Sequence, residues 1–272
     1  MVPVRRKVCL FGVDGVRADI ALTERGMPWL AELADAGRRH EMTVEPPTLS
    51  GPSWSTILTG ASYPEHGVLD NSFVGKRLAA HPDLLSRAFY ADQTTTTFAA
   101  ASWPPLVAAG GLGPVVHERR EQAVAGLHRV VVRDGETNGY PEADGQIMAQ
   151  ARWMLVNEGP DVNFVYFCSA DDAGHLHGAR SDEYGVALAL VDSHLRTLTE
   201  CIAARAESRD EDWLLVVTTD HGHLDSGGHG GASDEERASF VVTHRFGRPD
   251  VEWPDRVEPA ELTPLILDYL NQ

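Results

Sequence analysis

Apolar residues in this chain come in short unbroken runs, separated by longer stretches where they recur at helical spacing. The run Val8-Cys-Leu-Phe-Gly-Val13 and those over residues 162–168 and 213–219 are apolar almost throughout, as strands covered on both faces must be. Residues 38–44, 94–101 and 240–243 are further strand candidates, and 127–132 is a weaker one. Helical spacing marks residues 27–36 with Gly37 as a stop, 83–90, 143–157, 181–207 and 259–270. The longest of these places Leu188, Val191, Leu195 and Leu198 on one face. Pro52 is suited to the first turn of a helix that runs to about Leu58 and ends at Gly60.

Strands alternating with helices predict an α/β fold, a three-layer α/β/α sandwich around a mainly parallel sheet. No repeat, low-complexity tract or linker divides the chain, so residues 1–272 read as a single domain. The stretch 103–139 has no clear period and carries Pro-Pro and Gly-Gly breaks, so a small lid or insertion is expected there.

Composition narrows the partners. The formal net charge is −17, with acids spread along the chain, a field that repels nucleic acid and anionic membrane. A small anion is still admissible where bound cations reverse the sign locally. The basic run 1–7 is followed by too short an apolar stretch for a signal peptide, and no stretch approaches the roughly eighteen apolar residues that span a bilayer. Cys9, Cys168 and Cys201 are sparse and widely spaced, which fits reduced thiols and a cytoplasmic location.

Candidate chemistry gathers where the apolar runs stop. Asp14-Gly15 ends the first run, Asp220-His221 follows the third, and Asp171 with His175 follows the second, with Gly174 between them suiting a bent loop. His229 stands alone in Gly227-Gly228-His229-Gly230-Gly231, and Ser50 lies just before a helix. Singly, each has an ordinary reading: a turn, a helix cap, a solvated imidazole. Together they set hard oxygen and imidazole ligands beside a hydroxyl at the sheet edge where open α/β folds bind ligands. Asp172 and His177 are the neighbouring decoys.

The order Asp14, Ser50, Leu58-Thr59-Gly60, Tyr63-Pro64-Glu65-His66-Gly67, Asp171-x-x-x-His175, Asp220-His221-Gly222 and His229 resembles the alkaline phosphatase superfamily, most closely its nucleotide pyrophosphatase/phosphodiesterase branch. That resemblance spans residue 8 to about 231 and implies an alkaline-phosphatase-like fold with two Zn²⁺ ions, Mn²⁺ being an admissible substitute. Asp171, His175 and His229 would hold one ion; Asp14, Asp220, His221 and the Ser50 oxygen would hold the other. Ser50 would be the nucleophile and form a phosphoserine, with a small phosphate ester, nucleotides included, as substrate.

Two substitutions set this chain apart from the branch. Ser50 stands where Thr is usual, and Ser53 stands where an Asn normally holds a phosphate oxygen. Gly51, Ser53, Asn71 and Trp54 are therefore the candidate substrate contacts, with Gly51 N–H, Asn71 or the 103–139 stretch replacing the missing amide. No Arg lies inside the nucleophile motif, which favours a diester or pyrophosphate over a monoester. A phosphomonoesterase is the alternative. A sulfatase is less favoured, since its motif needs Arg at Trp54 and a second acid at Gly15, and a non-catalytic binding protein would not need every ligand.

Overall fold

The computed structural model describes residues 5–272; residues 1–4, which open the basic N-terminal run, lie outside the described residues. Seven strands form one sheet: β1 (Arg6–Val13), β2 (Arg38–Thr43), β3 (Thr97–Ala101), β4 (His128–Val132), β5 (Val162–Phe167), β6 (Asp212–Thr218) and β7 (Ala238–Arg245). Their spatial order is β2-β7-β6-β1-β5-β3-β4. The pairs β6–β1, β1–β5, β5–β3 and β3–β4 are parallel, whereas β7 runs against both β6 and β2. β1 is central, with Val8 opposite Val162 on one side and Leu214 on the other.

Alternation along these strands builds two cores, one on each face of the sheet. Val8, Leu10, Phe164, Tyr166, Leu214 and Val216 pack against helices Ser50–Thr59, Leu84–Ala91 and Pro259–Asn271. Cys9, Phe11, Val13, Val165, Phe167 and Val217 pack against helices Pro28–Ala36, Tyr140–Asn157 and Asp182–Arg209. Leu188, Leu195 and Leu198 of the last helix are wholly buried, each contributing about 1.5–3 kcal/mol. The continuous apolar runs are continuous because both faces are covered.

Residues 103–139 are not a separate lid. β4 pairs with β3 from Thr97↔His128 to Ala101↔Val132, and Leu106, Val107, Val115 and Val116 enter the core. An edge strand has polar positions exposed on one side, so His128-Arg-Val-Val-Val carries little of the apolar signal of β1. Among the described residues, no helix is long and apolar enough to cross a membrane.

One position in β1 links the core to the site above it. A Cβ on Gly12 would lie 2.7 Å from the Trp54 ring and 3.2 Å from Phe164, so only glycine lets the indole pack this close against the strand. Gly12→Ala should lower the unfolding free energy by about 1–3 kcal/mol, the usual cost of overpacking. Urea denaturation followed by tryptophan fluorescence checks this, and an unchanged midpoint would contradict it.

Candidate active site

All seven residues singled out above meet at one edge of the sheet. β1 ends at Val13 and delivers Asp14; β6 ends at Thr218 and delivers Asp220 and His221; β5 leads directly into the helix Ser169–His177 that carries Asp171 and His175. This last segment is helical rather than a bent loop, so the two side chains project from one face at i and i+4. Gly174 serves close approach instead: a Cβ there would lie 2.8 Å from the ring of His223.

Ser50 is the first residue of its helix, and the cap position belongs to Leu49 with no side-chain cap bond. Its hydroxyl is therefore free of the capping role. Ser50 Oγ lies 3.2 Å from His221 Nε2 and 3.4 Å from Asp14 Oδ1.

Around Ser50, Asp14, Asp220 and His221 offer ligand atoms within 4.8 Å of one another. Each is oriented from behind. Asp14 Oδ2 accepts from Trp54 Nε1 at 2.8 Å and from the Tyr166 hydroxyl, which turns Oδ1 toward Ser50. His221 Nδ1 faces the Gly222 carbonyl at 3.1 Å, which can only accept, so Nδ1 carries the proton and Nε2 presents a lone pair. Asp220 Oδ2 is buried and has no hydrogen-bond donor at all.

A second group adjoins the first. Asp171, His175 and His229 converge as the resemblance implied, and His223 joins them, all four within 4.8 Å. His229 Nδ1 donates to the Thr48 carbonyl at 2.6 Å, leaving Nε2 bare at 2.9 Å from His175 Nε2. His223 Nε2 lies 2.8 Å from Asp171 Oδ1. This imidazole was not assigned from the sequence; its signal was the second His in Asp220-His221-Gly222-His223, flanked in space by two glycines. A Cβ on Gly15 would sit 2.7 Å from His223 Nε2, so Gly15 and Gly174 together make the slot for its ring.

Electrostatics shows what this arrangement lacks. Burial, then the Asp171 carboxylate, raises Asp14; burial raises Asp171 as well; burial, then Asp14 and Asp171, raises Asp220. Burial lowers His221 strongly and holds His223 and His229 near about 4, so these imidazoles are neutral. Oxygen and nitrogen lone pairs thus face one another with too few protons between them. The donor set of carboxylates and imidazoles fits divalent cations, which would satisfy the orphaned Asp220 oxygen and the bare Nε2 atoms at once.

A cavity of about 150 Å³ opens beside Ser50, lined among others by Asn71, Trp103, Glu136, Tyr140 and Asp172. Of the expected substrate contacts, Asn71 is at this wall, with its Oδ1 engaged by Gly51 N–H at 2.7 Å. That bond takes up the Gly51 amide proposed as an oxyanion donor and leaves Asn71 Nδ2 as the free amide. Ser53 does not replace the missing Asn, because its hydroxyl meets Tyr63 Oη at 3.0 Å. Trp54 is wholly buried and braces Asp14, so it has no face for a ligand. Decoy His177 is exposed, whereas Asp172 borders the cavity. Arg17 is buried away from it, bonded to Asp19 at 2.7 Å, to Asp225 and to the His223 carbonyl, bracing the loop that carries the imidazoles.

An α/β/α sandwich with carboxylates and imidazoles around a hydroxyl at a helix start is the plan of the alkaline phosphatase superfamily. Within it, the chain belongs to the type I phosphodiesterase / nucleotide pyrophosphatase family, whose model matches residues 8–231. Human GPI ethanolamine phosphate transferase 2, catalytic subunit, is 23% identical over 96% of this chain and 26% of its own length. Mouse ectonucleotide pyrophosphatase/phosphodiesterase family member 1 is 26% identical over 78% of this chain and 23% of its own. The chain thus spans about a quarter of the curated relatives it matches. Among solved structures, murine ectonucleotide pyrophosphatase/phosphodiesterase 5 shares the fold with a TM-score of 0.67 at 15% identity, covering 98% of this chain and 95% of that one.

Two outcomes follow from the convergence of lone pairs. Adding Zn²⁺ or Mn²⁺ at about a hundredfold over Kd to chelator-treated protein should raise Tm by roughly 5–10 °C. No shift in a calorimetric scan would refute the fit. His229→Ala should lose one ion preferentially, read by elemental analysis after dialysis; full retention would remove His229 from the ligand set.

Proposed function

We propose that this chain is a metal-dependent phosphoric ester hydrolase acting on a diester or pyrophosphate bond of a small substrate, through a phosphoserine at Ser50. The observation that carries this reading is the Ser50 hydroxyl, uncapped at the head of its helix and 3.2 Å from a bare His221 Nε2. In this reading Asp14, Asp220, His221 and the Ser50 oxygen would hold one Zn²⁺, and Asp171, His175 and His229 the other. When bound, such ions lower the pKa of a ligating hydroxyl and offset charge on the phosphate oxygens.

Ser50 Oγ attacks phosphorus after its proton passes to solvent. The Oγ–P bond forms, the bond from phosphorus to the departing oxygen breaks, and that oxygen takes a proton from water. A water oxygen then bonds to phosphorus as the Oγ–P bond breaks, and Ser50 regains its proton. Asn71 Nδ2 is the side-chain amide placed to hold a non-bridging oxygen, supplying from a separate loop what Ser53 does not.

Side chains at the cavity favour a diester over a monoester. No Lys or Arg lines it, and Glu136 and Asp172 add carboxylates to its wall. A dianionic monoester usually needs a cationic clamp that is absent from this wall. A neutral or cationic substituent suits the same wall, and ethanolamine phosphate, in the name of the human relative, carries such a cation. That name also favours a second reading, transfer to an alcohol instead of water.

Ser50→Ala should lower kcat/KM for bis(p-nitrophenyl) phosphate by at least about 10³-fold while the circular dichroism melt is retained. Turnover at the parent rate would sink the nucleophile. Parallel assay of aryl phosphate, aryl sulfate, a nucleotide aryl ester and the aryl ester of ethanolamine phosphate, with added alcohol and analysis of products, separates the diesterase, monoesterase, sulfatase and transferase readings.

A further inference from the structure

A second cavity, of about 560 Å³, runs along the edge strand β4 from His128 to Val132. Its floor holds Arg119, only 4% exposed. The Nη2 of Arg119 donates to Thr97 Oγ1 and to His128 Nδ1, the latter at 2.9 Å, but Nε and Nη1 are buried with no acceptor. Because His128 Nδ1 accepts from the guanidinium, the ring proton sits on Nε2, and that donor is also buried and unpartnered. Burial, then Arg119, holds His128 near about 4, which keeps the ring neutral.

No carboxylate hydrogen-bonds this guanidinium, which lies over the Phe89 ring at 5.2 Å. Asp83 is close enough to influence it, yet its oxygens are taken by the backbone N–H groups of Leu85, Ser86 and His117 and by the Ser86 hydroxyl. Glu118 is the one acid lining the cavity and makes no ion pair with Arg119, while Arg120 and Arg129 add positive charge at the exposed rim. A buried, unpaired charge is costly and is normally matched by a counter-ion. In a chain of net charge −17, a pocket with this sign is a local exception. Apart from His117, engaged with the Leu78 carbonyl, the rest of the wall is apolar, with Val124 85% exposed and Val130 40% exposed at its edge.

We propose that this cavity binds a small organic anion, its carboxylate or phosphate head against Arg119 and His128 Nε2 and its apolar body along Val124 and Val130. The site is separate from the Ser50 cavity and shares no lining residue with it. Arg119 and His128 supply the buried donors, and the valines set the requirement for an apolar body.

Isothermal titration of the full chain in EDTA, which keeps the Ser50 site free of metal, tests this with hexanoate, hexyl phosphate, hexanol and inorganic phosphate. One saturable site for hexanoate or hexyl phosphate is expected, with the tighter of the two identifying the head group, no binding of hexanol, and inorganic phosphate at least tenfold weaker. Arg119→Met should abolish binding in a chain that still unfolds cooperatively by circular dichroism. Val124→Glu, on an exposed rim position, should weaken binding at least tenfold in a normally folded chain. Absence of saturable binding by both organic anions, equal affinity for inorganic phosphate, or unchanged binding in Arg119→Met or Val124→Glu would overturn the proposal.

Discussion

The crowding of lone pairs at the carboxyl edge of the sheet is the constraint on which the rest of the structure turns. Three carboxylates and four imidazoles meet at this edge, most of them buried with His175 at the open side, and three of the imidazoles are held neutral by burial. Such an arrangement is unfavourable on its own and becomes favourable when cations enter it. The supporting residues follow from that need. Trp54 and Tyr166 fix one oxygen of Asp14, carbonyls fix the tautomers of His221 and His229, and Gly12, Gly15 and Gly174 give way so that bulky rings can reach their places.

Much of this was legible in the sequence, for a physical reason. A central parallel strand must be apolar on both faces, so β1, β5 and β6 stand out as runs, and the first polar residue after each run marks the sheet edge. That rule put Asp14 and Asp220 at the sheet edge, and only their company with the other candidates gave them a role. Asp171 and His175 reach the same sheet edge from a helix and not from the bent loop expected, because Gly174, taken as a bend, is a gap for a side chain about fifty residues away.

What stayed hidden was contact between distant segments. His223 differs from a solvated loop histidine only through Asp171, Gly15 and Gly174, which no local window contains. Trp54 was read as a surface for ligands, although its indole N–H was needed beneath a carboxylate. β4 was faint because an edge strand shares its polar positions with solvent, and the cationic cavity beside it is visible only once Arg119 is seen to lack an acid.

Thr48 has a consequence of a different kind. Its carbonyl accepts the proton of His229, and its hydroxyl donates to the Gly231 carbonyl and accepts from the Gly230 amide. The segment that leads into the Ser50 helix is thereby latched to the glycine-rich loop, and His229 in turn stacks on His221 with ring centroids 3.6 Å apart. Ser50 and both clusters of carboxylates and imidazoles are therefore tied together through Thr48, as the rest of the loop is tied by Arg17. Opening the loop at Thr48 would therefore move His229 and the entry to the Ser50 helix together.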